Sequence, residues 1–138
     1  MVKIFISYKY TGEDLTKVWA AINKLTTTIH RTGNIYFCNL YSDDMYIKEH
    51  YTTKQIMDHC VENLKTCDIY LAYVTGDFAG GMAIECGYAY SLGMKIVACL
   101  PNNKETYTSL KGISTHVLTY EDLDDLCVKL DDAIRHFL

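Results

Sequence analysis

Apolar and polar positions fall along this chain in short blocks whose lengths predict strands and helices in alternation. Val2-Lys3-Ile4-Phe5-Ile6-Ser7 has strand length, and Thr11-Gly12-Glu13-Asp14 follows as a turn with helix-start character. From Leu15 to His30 the apolar residues Leu15, Val18, Trp19, Ile22, Leu25 and Ile29 recur at helical spacing, which predicts one inward stripe. Gly33-Asn34 breaks that pattern before a second strand at Ile35-Tyr36-Phe37-Cys38. A polar stretch through Ser42-Asp43-Asp44 leads to a cap at Thr52 or Thr53, and the next helix runs to about Thr66 with Ile56, Cys60 and Leu64 inward. Ile69-Tyr70-Leu71-Ala72-Tyr73-Val74 is apolar nearly throughout, as expected of a central strand covered on both faces. A glycine loop and a helix ending at Gly93, a natural residue after a helix, come next. Ile96-Val97-Ala98-Cys99-Leu100 is a fourth strand stopped by Pro101, followed by polar residues and a short helix near Tyr107 to Leu110. His116-Val117-Leu118 is a fifth strand, and Tyr120-Glu121-Asp122 opens a last helix with Leu123, Leu126, Leu130, Ala133, Ile134 and Phe137 inward.

Strands alternating with helices imply an α/β fold of the flavodoxin or Rossmann-like kind, a five-stranded parallel sheet with helices on both faces. The strand order 2-1-3-4-5 is expected, because it sets the loops Tyr8–Glu13 and Gly76–Gly81 on either side of the switch point where such sheets bind ligands. The 138 residues are enough for a single domain, 1–138, with its own core. A net charge of -4 with no Lys/Arg block argues against a polymeric nucleic-acid partner. The six cysteines stand singly among apolar residues, with no CxxC and no secretory leader, so reduced thiols in a cytoplasmic protein are expected. No apolar run approaches the roughly 18 residues of a membrane span. The single Pro101 leaves no sign of an extended linker, and no internal repeat is present.

Chemistry concentrates in Asp77-Phe78-Ala79-Gly80-Gly81-Met82-Ala83-Ile84-Glu85. This loop leaves a buried strand at the carboxyl edge of the sheet, and its glycines let a ligand approach the backbone, which marks Gly80, Gly81 and Met82 as a substrate-binding segment. Glu85 is then a candidate catalytic carboxylate, or else a helix-start acid placed for the dipole. Asp77 lies on the same edge, where two carboxylates push their pKa values apart; its plainer reading is a loop cap. Asp68 opens the third strand and so belongs to the amino edge, which favours a cap over direct chemistry. Tyr8-Lys9-Tyr10 sets aromatic rings beside a cation, a combination suited to a nucleoside or nucleotide, and Thr11-Gly12-Glu13 offers backbone N–H groups to an anion. Neither GxxxxGK[ST] nor GxGxxG is present, and the five histidines show no ligand spacing, so no cofactor or metal is expected.

The run Gly80-Gly81-Met82-Ala83-Ile84-Glu85-Cys86-Gly87-Tyr88-Ala89, with Leu92-Gly93-Met94-Lys95 after it and Cys67-Asp68-Ile69-Tyr70-Leu71-Ala72 before it, resembles the nucleoside 2-deoxyribosyltransferase superfamily, which includes the 2′-deoxynucleoside 5′-phosphate N-hydrolases. The resemblance implies that Glu85 is the nucleophile on the anomeric carbon and that Asp68 belongs to the active site. It also implies that Ser7 and Lys9 stand where the N-hydrolases hold a 5′-phosphate, and that a homodimer or larger homo-oligomer completes the sites. Phe5-Ile6-Ser7-Tyr8 separately resembles the first box of TIR domains, some of which cleave NAD with a glutamate. Both resemblances imply an N-glycosidic bond on a ribosyl carbon. Glu85 would attack or stabilise that carbon, Asp77 or Asp68 would protonate the leaving base, and water or a second base would take the sugar. The alternatives are a TIR-like NAD glycohydrolase and a non-catalytic nucleotide-binding module.

Overall fold

The computed structural model describes residues 1–78, 80–102 and 107–138. Strand β1 (Lys3–Ser7) is followed by α1 (Leu15–Arg31), β2 (Ile35–Cys38), a 3-10 turn at Asn39–Ser42, and α2 (Asp43–Lys48). Then come α3 (Thr53–Lys65), β3 (Ile69–Tyr73), α4 (Gly80–Ser91), β4 (Lys95–Pro101), α5 (Thr108–Ile113), β5 (His116–Tyr120) and α6 (Leu123–His136). Part of the polar segment expected after Pro101 lies at 103–106, outside the described residues.

The five strands are ordered β2-β1-β3-β4-β5, and every pairing is parallel. Ile6 lies beside Leu71, and Leu71 beside Val97, so the three innermost strands share a register. Because side chains alternate across a strand, the sheet divides its apolar residues between two layers. Ile4, Ile6, Ile69, Leu71 and Val97 pack against Ile22, Leu25 and Ile29 of α1 and Leu126, Leu130 and Ile134 of α6. Phe5, Tyr70, Ala72, Ile96 and Ala98 meet Cys60 and Leu64 of α3, Met82, Cys86 and Ala89 of α4, and Leu110 of α5.

Local signals set the helix ends. Asp14 Oδ1 accepts from the Thr16 N–H at 3.0 Å, and Asp122 Oδ1 accepts from the Asp125 N–H at 2.8 Å. Thr52 and Gln55 form a reciprocal capping box at the start of α3. Gly93, at φ +73°, turns the chain out of α4 in the left-handed conformation that glycine adopts without cost.

Two readings are corrected. The polar stretch after β2 is helical, as the 3-10 turn and α2. A helix this short has too few turns to show a periodic apolar stripe; only Tyr46 of α2 is buried. Leu15, Trp19 and Phe137 were expected inward but are 43%, 36% and 61% exposed. Spacing names the side of a helix, not how far the layer beneath it extends. Trp19 rests edge-on against Tyr41 at 5.4 Å, and Phe137 has left helical geometry at φ -126°.

All six cysteines are unpaired, five buried and Cys127 partly so. Among the described residues, no helix is long and apolar enough to cross a membrane.

Candidate active site

Parallel strands direct their carboxyl ends to one edge, and between β1 and β3 the chain reverses its order of travel across the sheet, which leaves a crevice there. A cavity of about 290 Å³ occupies this crevice, at the lower end of the ~300–1,000 Å³ typical of small-molecule pockets. Ser7, Tyr8, Tyr10 and Thr11 line it from the end of β1, and Asn39 from the end of β2. Met57 and Cys60 come from α3, and Gly80, Gly81, Met82 and Glu85 from α4.

Glu85 lies in the second turn of α4, a helix that packs its Met82, Cys86 and Ala89 face on the sheet. That packing points the carboxylate back over the end of β1. The buried Ser7 hydroxyl donates to Oε1 at 2.9 Å, and the buried Cys60 thiol donates to Oε2 at 2.9 Å. Each oxygen therefore has one donor, and the group cannot swing freely. Burial raises the Glu85 pKa above its ordinary 4.5, while the bonds from Cys60 and Ser7 hold it back. Beneath it, the Tyr70 hydroxyl donates to the Met82 carbonyl at 2.9 Å, tying the start of α4 to the central strand.

The aromatic wall is Tyr8 and Tyr10, with ring centroids 6.5 Å apart at 71°. Tyr10 leans on Asp43 in the first turn of α2, whose carboxyl is raised by burial and lowered by the Tyr10 contact. Asn39 is oriented by Tyr46 of α2, which also meets His59 Nδ1 of α3 at 2.8 Å. The polar stretch after β2 thus braces one wall of the cavity.

The residues expected at the site do not all meet there. Ser7, Tyr8, Gly80, Gly81, Met82 and Glu85 line the cavity together. Lys9 does not; its ammonium pairs with Glu13 at 3.5 Å in a neighbouring cavity that shares only Tyr8. Asp77 is exposed in the β3–α4 loop, on the expected edge but outside the lining, and its charge bears on Tyr107. Asp68 lies at the opposite edge: its Oδ2 accepts from the Lys3 N–H at 2.8 Å, and its own N–H donates to the Lys3 carbonyl at 2.8 Å. The five residues of β3, about 16 Å at ~3.3 Å per residue, separate Asp68 from the cavity. The amino-edge reading accounts for that position, whereas the resemblance alone would draw Asp68 into the site. Cys60, Asn39 and Met57, which line the cavity, were not singled out as site residues, nor was Asp43, which bears on it only through Tyr10. Cys60 sat on the inner stripe of its helix and read as core, which it also is.

A comparison with curated protein sequences finds no match. Among solved structures, the chain is similar to the CMP N-glycosidase of Clostridium botulinum, with TM-score 0.71 and 20% identity over 94% of this chain and 97% of that one. It is also similar to a conserved protein from Enterococcus faecalis V583 (TM-score 0.67, 15% identity, 96% and 98% covered). A third is the 2-deoxyribosyltransferase from Bacillus psychrosaccharolyticus (TM-score 0.69, 17% identity, 90% and 89% covered). At these identities the likeness is one of fold. The family itself is read from sequence: the nucleoside 2-deoxyribosyltransferase profile matches residues 14–131, most of the chain and the whole span from the start of α1 into α6. The chain belongs to the nucleoside 2-deoxyribosyltransferase family.

Proposed function

We propose that this protein cleaves the N-glycosidic bond of a nucleoside or nucleotide, with Glu85 as the nucleophile. The observation that carries the reading is the half-buried Glu85 carboxylate, held by one donor on each oxygen inside the cavity at the β1–β3 crevice. Membership of the family supports the bond type. The carboxylate attacks the anomeric carbon, the carbon–nitrogen bond breaks, and its electron pair leaves with the base, which takes up a proton. Ionised Glu85 also stabilises the oxocarbenium character of that transition state. Water or the nitrogen of a second base then attacks the same carbon, loses a proton and releases the carboxylate. Tyr8 and Tyr10 offer ring faces to the base. Asp43, outside the lining but against the lining residue Tyr10, is the carboxyl group this reading assigns to the leaving base, in preference to Asp68 at the opposite edge and Asp77 in the exposed loop. Self-association belongs to the same reading, supported by the apolar outer side of α4, where Ile84 is 64% and Tyr90 57% exposed.

The test is direct. Deoxynucleosides, ribonucleosides, their 5′-monophosphates and NAD are each incubated with the protein, alone and with a second free base, and chromatography follows base release and exchange. Release from at least one nucleoside or nucleotide is expected. No release from any of them overturns the proposal, and release from NAD alone moves the protein to the TIR-like chemistry.

Two variants test how the cavity is used. A methyl group built on Gly81 would meet no atom within 4 Å, so the fold does not require glycine there. Gly81→Leu should fold at least as well as the parent, since leucine is the better helix former by about 0.8 kcal/mol. Its side chain would enter the substrate space, and KM should rise roughly tenfold or more, on the order of 1–3 kcal/mol of lost fit. An unchanged KM would mean that substrate does not pass Gly81. Lys9→Ala should alter turnover of a nucleoside and of its 5′-monophosphate by less than about threefold, because Lys9 is already paired in a partly exposed bridge worth ~0–1 kcal/mol. A selective loss on the monophosphate would restore Lys9 as a phosphate ligand.

A further inference from the structure

We infer that Cys60 is a positioning residue for the reaction: its thiol, delivered by α3, holds Oε2 of Glu85 and fixes the edge that the carboxylate presents to the anomeric carbon. The inference rests on the reading of Glu85 as nucleophile and extends it to a residue on a different helix. Three features of the geometry carry it. The thiol is 2% exposed and lies 2.9 Å from Oε2, so it is fixed in place by the packing of α3 against the sheet. Ser7, at the end of β1, donates to the other oxygen, which leaves two anchors and no free rotation. Cys60 lines the cavity with only 2% of its surface exposed, and its thiol is directed to Oε2 of Glu85.

Thiol chemistry explains why a cysteine suits this place. A carboxylate bound by strong donors loses basicity and nucleophilicity together. The S–H group is a weak donor, so it can orient Oε2 while withdrawing little of its charge. Burial, with the Glu85 charge beside it, raises the Cys60 pKa far above neutrality, so the group remains a donor throughout the working range. The other titratable groups facing Glu85 are Tyr8 after β1, Cys38 of β2, Tyr70 of β3 and Cys86 of α4. Burial raises each of them, to about 12 for Cys38 and about 11 for Cys86. Each of these four is pushed further above neutrality, so none of them adds a competing charge change near neutral pH.

The experiment compares wild type, Cys60→Ala and Cys60→Ser, each with its glutamates carbon-13 labelled at Cδ. The Glu85 titration is read by NMR, and base release is read across pH. Losing the donor destabilises the ionised carboxylate, so in Cys60→Ala the Glu85 midpoint and the acid limb of kcat/KM should both move to higher pH. At a pH on the wild-type limb, kcat should fall roughly threefold with KM changed less than about twofold, the size of one weak hydrogen bond. Cys60→Ser, which keeps a donor, should return the midpoint to the wild-type value or below it, and it serves as the test if the alanine variant fails to fold. An unmoved Glu85 midpoint in a folded Cys60→Ala protein overturns the inference, even if activity drops. Failure of the nucleophile reading would appear separately, as turnover retained by Glu85→Gln, and the Cδ titration would still decide whether Cys60 holds the carboxylate.

Discussion

Glu85→Gln is expected to abolish base release and, at neutral pH, to raise the melting temperature. An amide does not attack the anomeric carbon, and losing a covalent nucleophile costs on the order of 10³ or more in rate. Glutamine has the same shape and still accepts from Ser7, so the crevice should keep its form. The stability gain follows from linkage. Burial raises the Glu85 pKa in the folded protein above its ordinary 4.5, so between those two values the folded state holds more proton than the unfolded chain. Wild-type stability therefore falls as pH rises through that window, and above it the full cost of a buried charge is present. Well below pH 4.5 the carboxyl is protonated in both states, and the advantage of glutamine should vanish. Thermal melts of both proteins between about pH 3 and 8, beside a single-turnover assay, measure both effects. Near-normal turnover by the variant would end Glu85's role as nucleophile, and a variant that melts below wild type at pH 7 would show that the carboxylate carries no such cost.

The largest stability effect is expected from Leu71→Ala. Leu71 is fully buried in β3, between Ile6 of β1 and Val97 of β4, and belongs to the layer under α1 and α6. Its neighbours are held by strand pairing on both sides and cannot close over the void. Removing a buried leucine side chain from such a place costs about 2–5 kcal/mol. For a chain of this length that lowers the melting temperature by on the order of 10 °C. Val128→Ala, on α6 at 70% exposure, should stay within about 0.5 kcal/mol. Urea titrations of both variants give the comparison, with a shifted midpoint and unchanged slope expected for Leu71→Ala. A loss under about 1 kcal/mol there would mean that the sheet relaxes around the void.

The order of elements was legible in the sequence because each element is specified locally. Apolar periods, caps at Asp14, Thr52 and Asp122, and the left-handed turn at Gly93 act within a few residues of where they stand. The strand order followed as well, since short βαβ crossovers permit few arrangements and the expected 2-1-3-4-5 order is the one observed. Glu85 stood out for the same local reason, as a carboxylate in a helix opening from a glycine loop. The polar segment after β2 was missed, because a helix as short as α2 shows no repeating stripe.

Tertiary structure decided which of the candidates meet. Glu85 takes its donors from Ser7, 78 positions earlier, and from Cys60, 25 positions earlier, and no local pattern links such distances. The two are brought together by the pairing of β1 with β3 and by the seating of α3 and α4 on one face of the sheet. The same geometry turned Lys9 to Glu13, left Asp77 facing outward and set Asp68 at the far edge. Sequence determined the elements and the carboxylate at their edge, since those depend on neighbours along the chain. Which side chains surround that carboxylate depends on neighbours across the sheet, and only the packed fold supplies them.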